Sequence, residues 1–585
     1  MNINSMLYKF RLFPYISLLL WILPLLLFSS GDNSLMAHDE GLYATRARFM
    51  FESGDWIAPW GTVHHKTPGP YWIIAISYQL FGISEASVRL PSMIIGILSV
   101  LLVYEIGKIL LNKKLAWLAG LILSVQFLWL QYCRLGTPDV PMIFLVLLAI
   151  WSLLKAELHP KYAYFWTFIA GLSLGLGFLV RSFKIFLPIV ALLPYLIGEH
   201  RRHRHLSNPC LYLGFAVGLI PTFSWLWLNW MRYGHDSYAE LFRFVLQLGS
   251  SERNGNGIIF YFWNVPLKSF PWFFLALIGL VLLLRRPISR YQLILVGFPV
   301  TLFAELSFFS TRLSHYSLCL YPFIAMLAAV GLNWLGKWGN VEMRGRKQKL
   351  HDFIRNKVTG DAPNVTNKIN KIFHVFTPNS ARAKRPASAL SAAMPAGLYS
   401  TQHSALFLIS YIFGGLGILL VLAGIVILIG VVDDVEIRKY AILGLIMGLG
   451  WLILPMVWIG RYHFKQKFLT AGYWLAGWLI PCWLALAVAG GLGLLSDYNP
   501  DVRVFLQQPA IASILQNHPI YFLQVDGKTA VLLNFYTPVH GQQVNSITEL
   551  PASSYAWISA TQAAELTTPH QVIGTVQQHQ LIQVF

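Results

Sequence analysis

Residues 36–72 read MAHDEGLYATRARFMFESGDWIAPWGTVHHKTPGPYW, a densely polar stretch inside a very apolar chain. Asp39 and Glu40 are adjacent carboxylates, and Arg46 and Arg48 follow on a run compatible with a helix. His64, His65 and Lys66 then precede Thr67-Pro68-Gly69-Pro70, whose prolines restrict the backbone beside Lys66. A carboxylate so placed can act as a general base, and a held cation can stabilise an anionic leaving group. The plainer alternative is a solvated loop whose charges mark a membrane boundary.

The stretch also sets the direction of everything after it. The run Leu12 to Phe28 follows Lys9 and Arg11, which places residues 36–72 on the outer face if basic residues stay inside. We expect that run to be an uncleaved anchor, because no small-x-small cleavage site follows it. Of 585 residues, 56% are hydrophobic and 12% charged, so the chain reads as a polytopic membrane protein. Further apolar spans are expected near 88–110, 115–133, 139–154, 162–180, 185–198, 209–231, 263–284, 291–310, 316–335, 404–431, 440–460 and 468–495, about thirteen with the first.

Alternation along these spans sorts the charges. Lys113, Lys114, Lys155, Lys161, Arg201, Arg202, Arg204, Arg285, Arg286, Arg290, Arg461, Lys465 and Lys467 fall inside. Asp39, Glu40, Asp139, Asp236, Glu252, Asp433, Asp434 and Glu436 fall outside. The formal charge of +19 therefore reads as topology and attraction to membrane lipids, not as nucleic-acid binding. The four cysteines, Cys133, Cys210, Cys319 and Cys482, are widely spaced and read as packing residues.

Four regions follow: a catalytic membrane bundle at 1–335 with an outer loop at 31–87, a basic inner linker at 336–403, further spans at 404–495, and a small outer α/β domain at 496–585. In the last, Pro509–Asn517 reads as helix, and 520–525, 529–535, 555–559 and 573–584 read as strands. Other outer loops bring polar groups that could join the 36–72 stretch. These are Asp139 in RLGTPDVP, which would otherwise cap a helix; Arg181 and Lys184, which would otherwise snorkel; Arg253 in a long loop with His235 and Asp236; and Arg312, His315 and Tyr316 in STRLSHYSLCLYP. Glu305, an acid within a span, is a functional candidate on grounds of cost alone.

The order HDEGLYATRARFMFESGDWIAPW, HHKTPGPYWIIAISYQLFGISEASVRLPS, RLGTPDVPMIFL and SHYSLCLYP resembles the bacterial glycosyltransferases of the protein O-mannosyltransferase superfamily, on the branch of aminoarabinose transferase, which modifies lipid A. The resemblance covers about residues 30–335. It implies a helical GT-C type membrane fold of about thirteen spans with an outer C-terminal domain. The implied donor is a polyprenyl-phosphate sugar, the acceptor a glycolipid, polysaccharide or protein, and the outcome inversion. Asp39 then matches the catalytic carboxylate with Glu40 beside it, while Lys66 matches the donor-phosphate lysine and Tyr316, with His315 and Arg312, lies near that phosphate. Asp139, Arg46, His65 and Arg253 take supporting places. His65 stands where relatives often carry an acid, and Thr67-Pro68-Gly69 interrupts a Lys-Pro-Pro motif, so no cofactor is fixed and a divalent metal stays open. A lipid-linked sugar flippase is the rival reading, and would place polar groups at span centres.

Overall fold

The computed structural model describes residues 3–60, 66–250, 255–287, 290–336, 396–431, 433–564, 566 and 568–585. His64, His65, Arg253 and nearly all of the basic linker at 336–403 lie outside the described residues. Eight described helices are long and apolar enough to cross a bilayer, or up to ten if each of two bent pairs counts as one span. The pairs are Lys113–Ser124 with Phe127–Cys133, bent by 71°, and Phe260–Lys268 with Trp272–Arg285, bent by 109°. Leu12–Leu27 and Leu293–Phe308 are shorter apolar helices.

The difference from thirteen lies partly in those four and partly in Pro160–Gly198, a continuous apolar segment of 39 residues. A straight helix of that length would run about 58 Å, against roughly 30 Å of hydrocarbon. Ser182, at φ 50° and ψ −140°, breaks it where Ala163–Arg181 ends, before Phe186–Gly198 begins. The second arm folds back. Tyr195 donates to Glu157, and Arg202 lies 3.3 Å from the same carboxylate, at the end of the bundle where the first arm starts. The short segment at 185–198 therefore returns to the end of the bundle at which the first arm starts.

Close helix packing follows from small residues. On Ala163–Arg181, a β-carbon at Gly171 would lie 2.0 Å from the Leu211 carbonyl oxygen, and one at Gly214 would lie 2.1 Å from the Phe168 carbonyl oxygen. Gly175 and Gly218 meet one turn further along, so this helix and Pro209–Tyr233 touch backbone to backbone. The far end of Pro209–Tyr233 closes on the outer loop: Arg232 pairs with Asp55, and Trp225 Nε1 donates to the Ile57 carbonyl oxygen at 2.9 Å.

The C-terminal domain is a five-stranded sheet of order β2-β1-β3-β5-β4, with β1 Ile520–Leu523, β2 His540–Val544, β3 Tyr555–Ser559, β4 His570–Val576 and β5 His579–Val584. β1 runs parallel to β2 and β3, while β5 runs antiparallel to β3 and β4. Two expectations are corrected. Residues 529–535, read as strand, belong to the helix Gly527–Tyr536, because a parallel β1–β2 pair needs a crossover and a helix supplies it. The run 573–584 is a hairpin that turns at Gln577, φ 51°, and His540–Val544 is a strand that its polar sequence HGQQV concealed.

One buried ion pair ties the Glu40 helix to the bundle and reaches the start of this domain through the Ser496 carbonyl oxygen. Arg89, on the helix Glu85–Leu110, donates through Nε and Nη2 to the two Glu40 carboxylate oxygens at 2.8 and 3.0 Å, with both side chains fully buried. Its remaining N–H groups reach the carbonyl oxygens of Ser30, Asn33, Ser34 and Ser496, at 2.6 to 3.2 Å. Glu40 also accepts from the backbone N–H groups of Met36 and Gly136. The helix Glu40–Ser53 is clamped again by Arg48, which donates to the Phe535 and Pro538 carbonyl oxygens.

Removing one partner strands an uncompensated charge in a fully buried site, which costs about 3–5 kcal/mol. Arg89→Met should lower the thermal midpoint of the purified protein by several degrees, and the double change Arg89→Met with Glu40→Met should recover part of that loss. Thermal unfolding followed by tryptophan fluorescence measures both.

Candidate active site

A cavity of about 1400 Å³ opens where the Glu40 helix, the two arms of Pro160–Gly198 and the segment at 301–316 converge. Asp39, Tyr43, Lys66, Arg181, Lys184, His315 and Tyr316 all line it. The polar stretch quoted first and the later outer loops therefore meet in one place.

Asp39 lies at the N-terminal end of the helix Glu40–Ser53. Among the described residues its carboxylate has no hydrogen bond or ion pair, and it faces the cavity. Tyr43 comes one turn later and accepts from Arg181 Nη1 at 3.2 Å. Burial pushes the Tyr43 hydroxyl up, so it stays protonated. Lys66 sits with its ammonium 4.7 Å from the centre of the Tyr43 ring, an orientation that suits a cation. Thr67, the next residue, shares a hydrogen bond with Ser182 at 3.1 Å, which ties the Lys66 turn to the break in Pro160–Gly198.

Asp139 opens the helix Asp139–Leu158 but makes no capping bond with its side chain. Instead it holds two cations, Arg181 Nη2 at 3.1 Å and Lys184 Nζ at 3.3 Å. These two sit on either side of the Ser182 break, which explains how residues three apart converge on one carboxylate. Lys184 also lies 3.4 Å over the Tyr316 ring, and His315 stacks on Tyr132 at 5.4 Å. Arg181 and Lys184 share Asp139, while Lys66 and Asp39 face the cavity without an ion pair among the described residues, so three basic side chains stand with two acidic ones at this end. That arrangement suits an anion.

Three expected site residues lie elsewhere. Glu40 is beside Asp39 in sequence, but the turn of helix directs it inward to Arg89, and its oxygens are filled by four donors. Arg312 does not line the cavity; its guanidinium donates to the carbonyl oxygens of Ser307 at 3.0 Å and Asn256 at 2.7 Å, holding the loop that carries His315. Arg46 packs 4.7 Å from the centre of the Trp60 ring, near Lys66 but not on the cavity wall. Tyr43 and Tyr132 had no signal as single residues, whereas Arg181 and Lys184 were candidates from their place at a span boundary, with snorkelling as the alternative. Among the described residues no group of three or more His, Cys, Asp and Glu side chains could hold a metal ion.

The other side of the cavity is apolar. Phe186, Val190 and Phe308 line it and also reach the outer surface of the bundle, exposed by 43%, 44% and 75%. Exposed apolar side chains on a membrane bundle suit contact with hydrocarbon. A charged floor and an apolar side opening are what a phosphate head on a long lipid chain would need.

The chain is similar to known proteins in sequence and in fold. Residues 65–227 match the family model for dolichyl-phosphate-mannose-protein mannosyltransferase. An uncharacterized protein of Aquifex aeolicus is 24% identical over 334 residues, 54% of this chain and 64% of its own length. The undecaprenyl phosphate-alpha-4-amino-4-deoxy-L-arabinose arabinosyl transferase of Pseudomonas aeruginosa (strain LESB58) is 27% identical over 347 residues, 54% of this chain and 59% of its own. The chain thus matches about three fifths of the length of these curated relatives. In fold it is similar to the crystal structure of ArnT from Cupriavidus metallidurans bound to undecaprenyl phosphate, with TM-score 0.68, 16% identity and 98% of each chain covered. The apo structure of the same protein gives TM-score 0.66. The superfamily resemblance and the GT-C fold read from the sequence are both borne out.

Burial, and then the Arg181 charge, lower Lys66 from its ordinary value to about 8. Its charged form predominates below that value, so affinity for a phosphate-headed lipid should fall as pH rises through about 8. Lys66→Arg should carry binding to higher pH, because a guanidinium keeps its proton there. Equilibrium binding of labelled undecaprenyl phosphate between pH 6 and 10 tests this; identical profiles for the two proteins would count against Lys66 as the phosphate contact.

Proposed function

We propose that this chain is a glycosyltransferase of the bacterial inner membrane, moving a sugar from a polyprenyl phosphate to a lipid A-like glycolipid or another envelope acceptor on the periplasmic face. The observation that carries the reading is the pairing, in one cavity with an apolar side opening, of an unengaged carboxylate and a surplus of cations. Similarity to an undecaprenyl phosphate-alpha-4-amino-4-deoxy-L-arabinose arabinosyl transferase, and to a fold solved with undecaprenyl phosphate bound, supports the choice of donor.

In this mechanism the lipid chain stays in hydrocarbon and the phosphate settles among Lys66, Arg181 and Lys184, with Tyr316 beside it. Asp39 takes the proton from an acceptor oxygen as that oxygen attacks the anomeric carbon from the opposite side. The new carbon–oxygen bond forms while the bond to the phosphate oxygen breaks, and the configuration inverts. The departing phosphate carries away the electron pair, and the cations stabilise the charge that develops on it. Asp139 keeps Arg181 and Lys184 in place, and Glu40 holds the helix from which Asp39 projects.

Asp39→Asn should lower turnover on the order of a hundredfold or more while leaving undecaprenyl-phosphate binding intact. Lys66→Ala should instead weaken donor binding and raise the KM for donor. Transfer of labelled sugar from a synthetic polyprenyl-phosphate donor to extracted envelope glycolipid, alongside a binding measurement, separates the two effects. Near-normal turnover by Asp39→Asn would remove that residue from the chemistry.

A further inference from the structure

The run EHRRHRH at 199–205 does not line the cavity; it follows the helix Phe186–Gly198 at the end of the bundle away from it. Arg202 ties this turn to the one that follows Trp272–Arg285. Its Nη1 donates to the Arg290 carbonyl oxygen, and its guanidinium lies 5.2 Å from the centre of the Tyr291 ring. Gln292 donates to the Leu283 carbonyl oxygen at 3.2 Å, which closes the second turn on itself. The two turns abut, since a β-carbon on Gly198 would lie 2.8 Å from Leu293 Cδ1.

Arg201 and Arg204 of the first turn are exposed, as are Arg285 and Arg286 of the second, and none of the four has an ion pair among the described residues. The acids nearby are already engaged. Glu157 accepts from Tyr195 and lies 3.3 Å from Arg202, while Glu199 lies 3.7 Å from the same arginine. Beside these cations the helices turn apolar side chains outward, with Ile197, Val281 and Leu284 exposed by 62%, 45% and 59%.

Membrane topology alone asks only for positive charge at this end, which lysine supplies at Lys113, Lys114, Lys155 and Lys161. Here all four exposed cations are arginine, whose planar fork grips phosphate oxygens in pairs and sheds water more readily than an ammonium. A free phosphate would engage the arginines and leave the apolar flank bare, and an uncharged lipid would do the reverse. A ligand with a phosphate head and acyl chains meets both surfaces.

We propose that these two turns form a binding site for an anionic phospholipid of the leaflet opposite the cavity. Its phosphodiester takes Arg201, Arg204, Arg285 and Arg286, and its acyl chains lie against Ile197, Val281 and Leu284. The site is separate from the transfer reaction and does not rest on it. Phe186–Gly198 runs from this site to the cavity wall, so the bound lipid braces the arm that begins beside Lys184.

The test titrates the full chain in neutral detergent with cardiolipin, or with phosphatidylcholine of matching acyl chains, and counts bound lipid by native mass spectrometry. Cardiolipin should bind saturably and roughly tenfold or more tighter than phosphatidylcholine. Arg201→Gln with Arg286→Gln should weaken cardiolipin binding about ten- to thirtyfold, a few-fold for each basic residue removed. Lys113→Gln with Lys114→Gln removes the same charge from another exposed turn and should leave cardiolipin binding unchanged. If the arginine variant does not fold, competition on the wild type decides: phosphatidylglycerol should displace cardiolipin, and water-soluble glycerophosphoglycerol at the same concentration should not. Equal binding of cardiolipin and phosphatidylcholine, an equal loss in the lysine variant, or displacement by glycerophosphoglycerol would overturn the proposal, the last by making a free phosphodiester the ligand.

Discussion

The fully buried pair between Arg89 and Glu40 is the constraint on which the rest of the molecule depends. An arginine has five N–H donors in a rigid fork, and here they join segments far apart in the chain: the exit of the first helix, the Glu40 helix and the residue leaving the last span. A buried pair of this kind is weak evidence for stability, since its desolvation offsets much of its attraction. What it provides is registry. With Glu40 fully bonded, the rotation of its helix is set, and the neighbouring Asp39 is directed into the cavity.

The C-terminal domain reinforces that setting. Thr45 donates to the Val531 carbonyl oxygen, Arg48 reaches those of Phe535 and Pro538, and Asp497 accepts from Ser34. The small domain has no evident chemistry of its own, yet it grips the helix at whose start Asp39 lies. Charge is divided in the same economical way. Asp139 fixes two cations at the break in Pro160–Gly198, while Asp39 and Lys66 are left without an ion partner among the described residues. Glu40 and Asp139 are engaged by donors, and Asp39 is open to the cavity.

Much of the architecture was legible in the chain itself. Spans of apolar residues with basic inner connections gave the alternation, and Pro160–Gly198 obeys it despite its unbroken hydropathy, because Ser182 reverses the chain. The errors came where local pattern and tertiary demand diverge. Residues 529–535 carry an apolar run that suits a strand, but the crossover between parallel β1 and β2 required a helix there. His540–Val544 carries little apolar signal because it is the edge strand of the sheet.

Sequence by itself determined that this is a membrane bundle, and it brought Asp39, Lys66, Asp139, His315 and Tyr316 forward as polar residues where an apolar chain has few. These are consequences of composition and order, since burying charge in hydrocarbon is expensive wherever it occurs. Only the tertiary structure decided which of those groups are free to act. Asp39 and Glu40 are neighbours of identical chemistry, and their difference arises from Arg89, 49 positions away. Lone pairs and N–H groups can be assigned only when their partners are in place, and those partners come from distant parts of the chain.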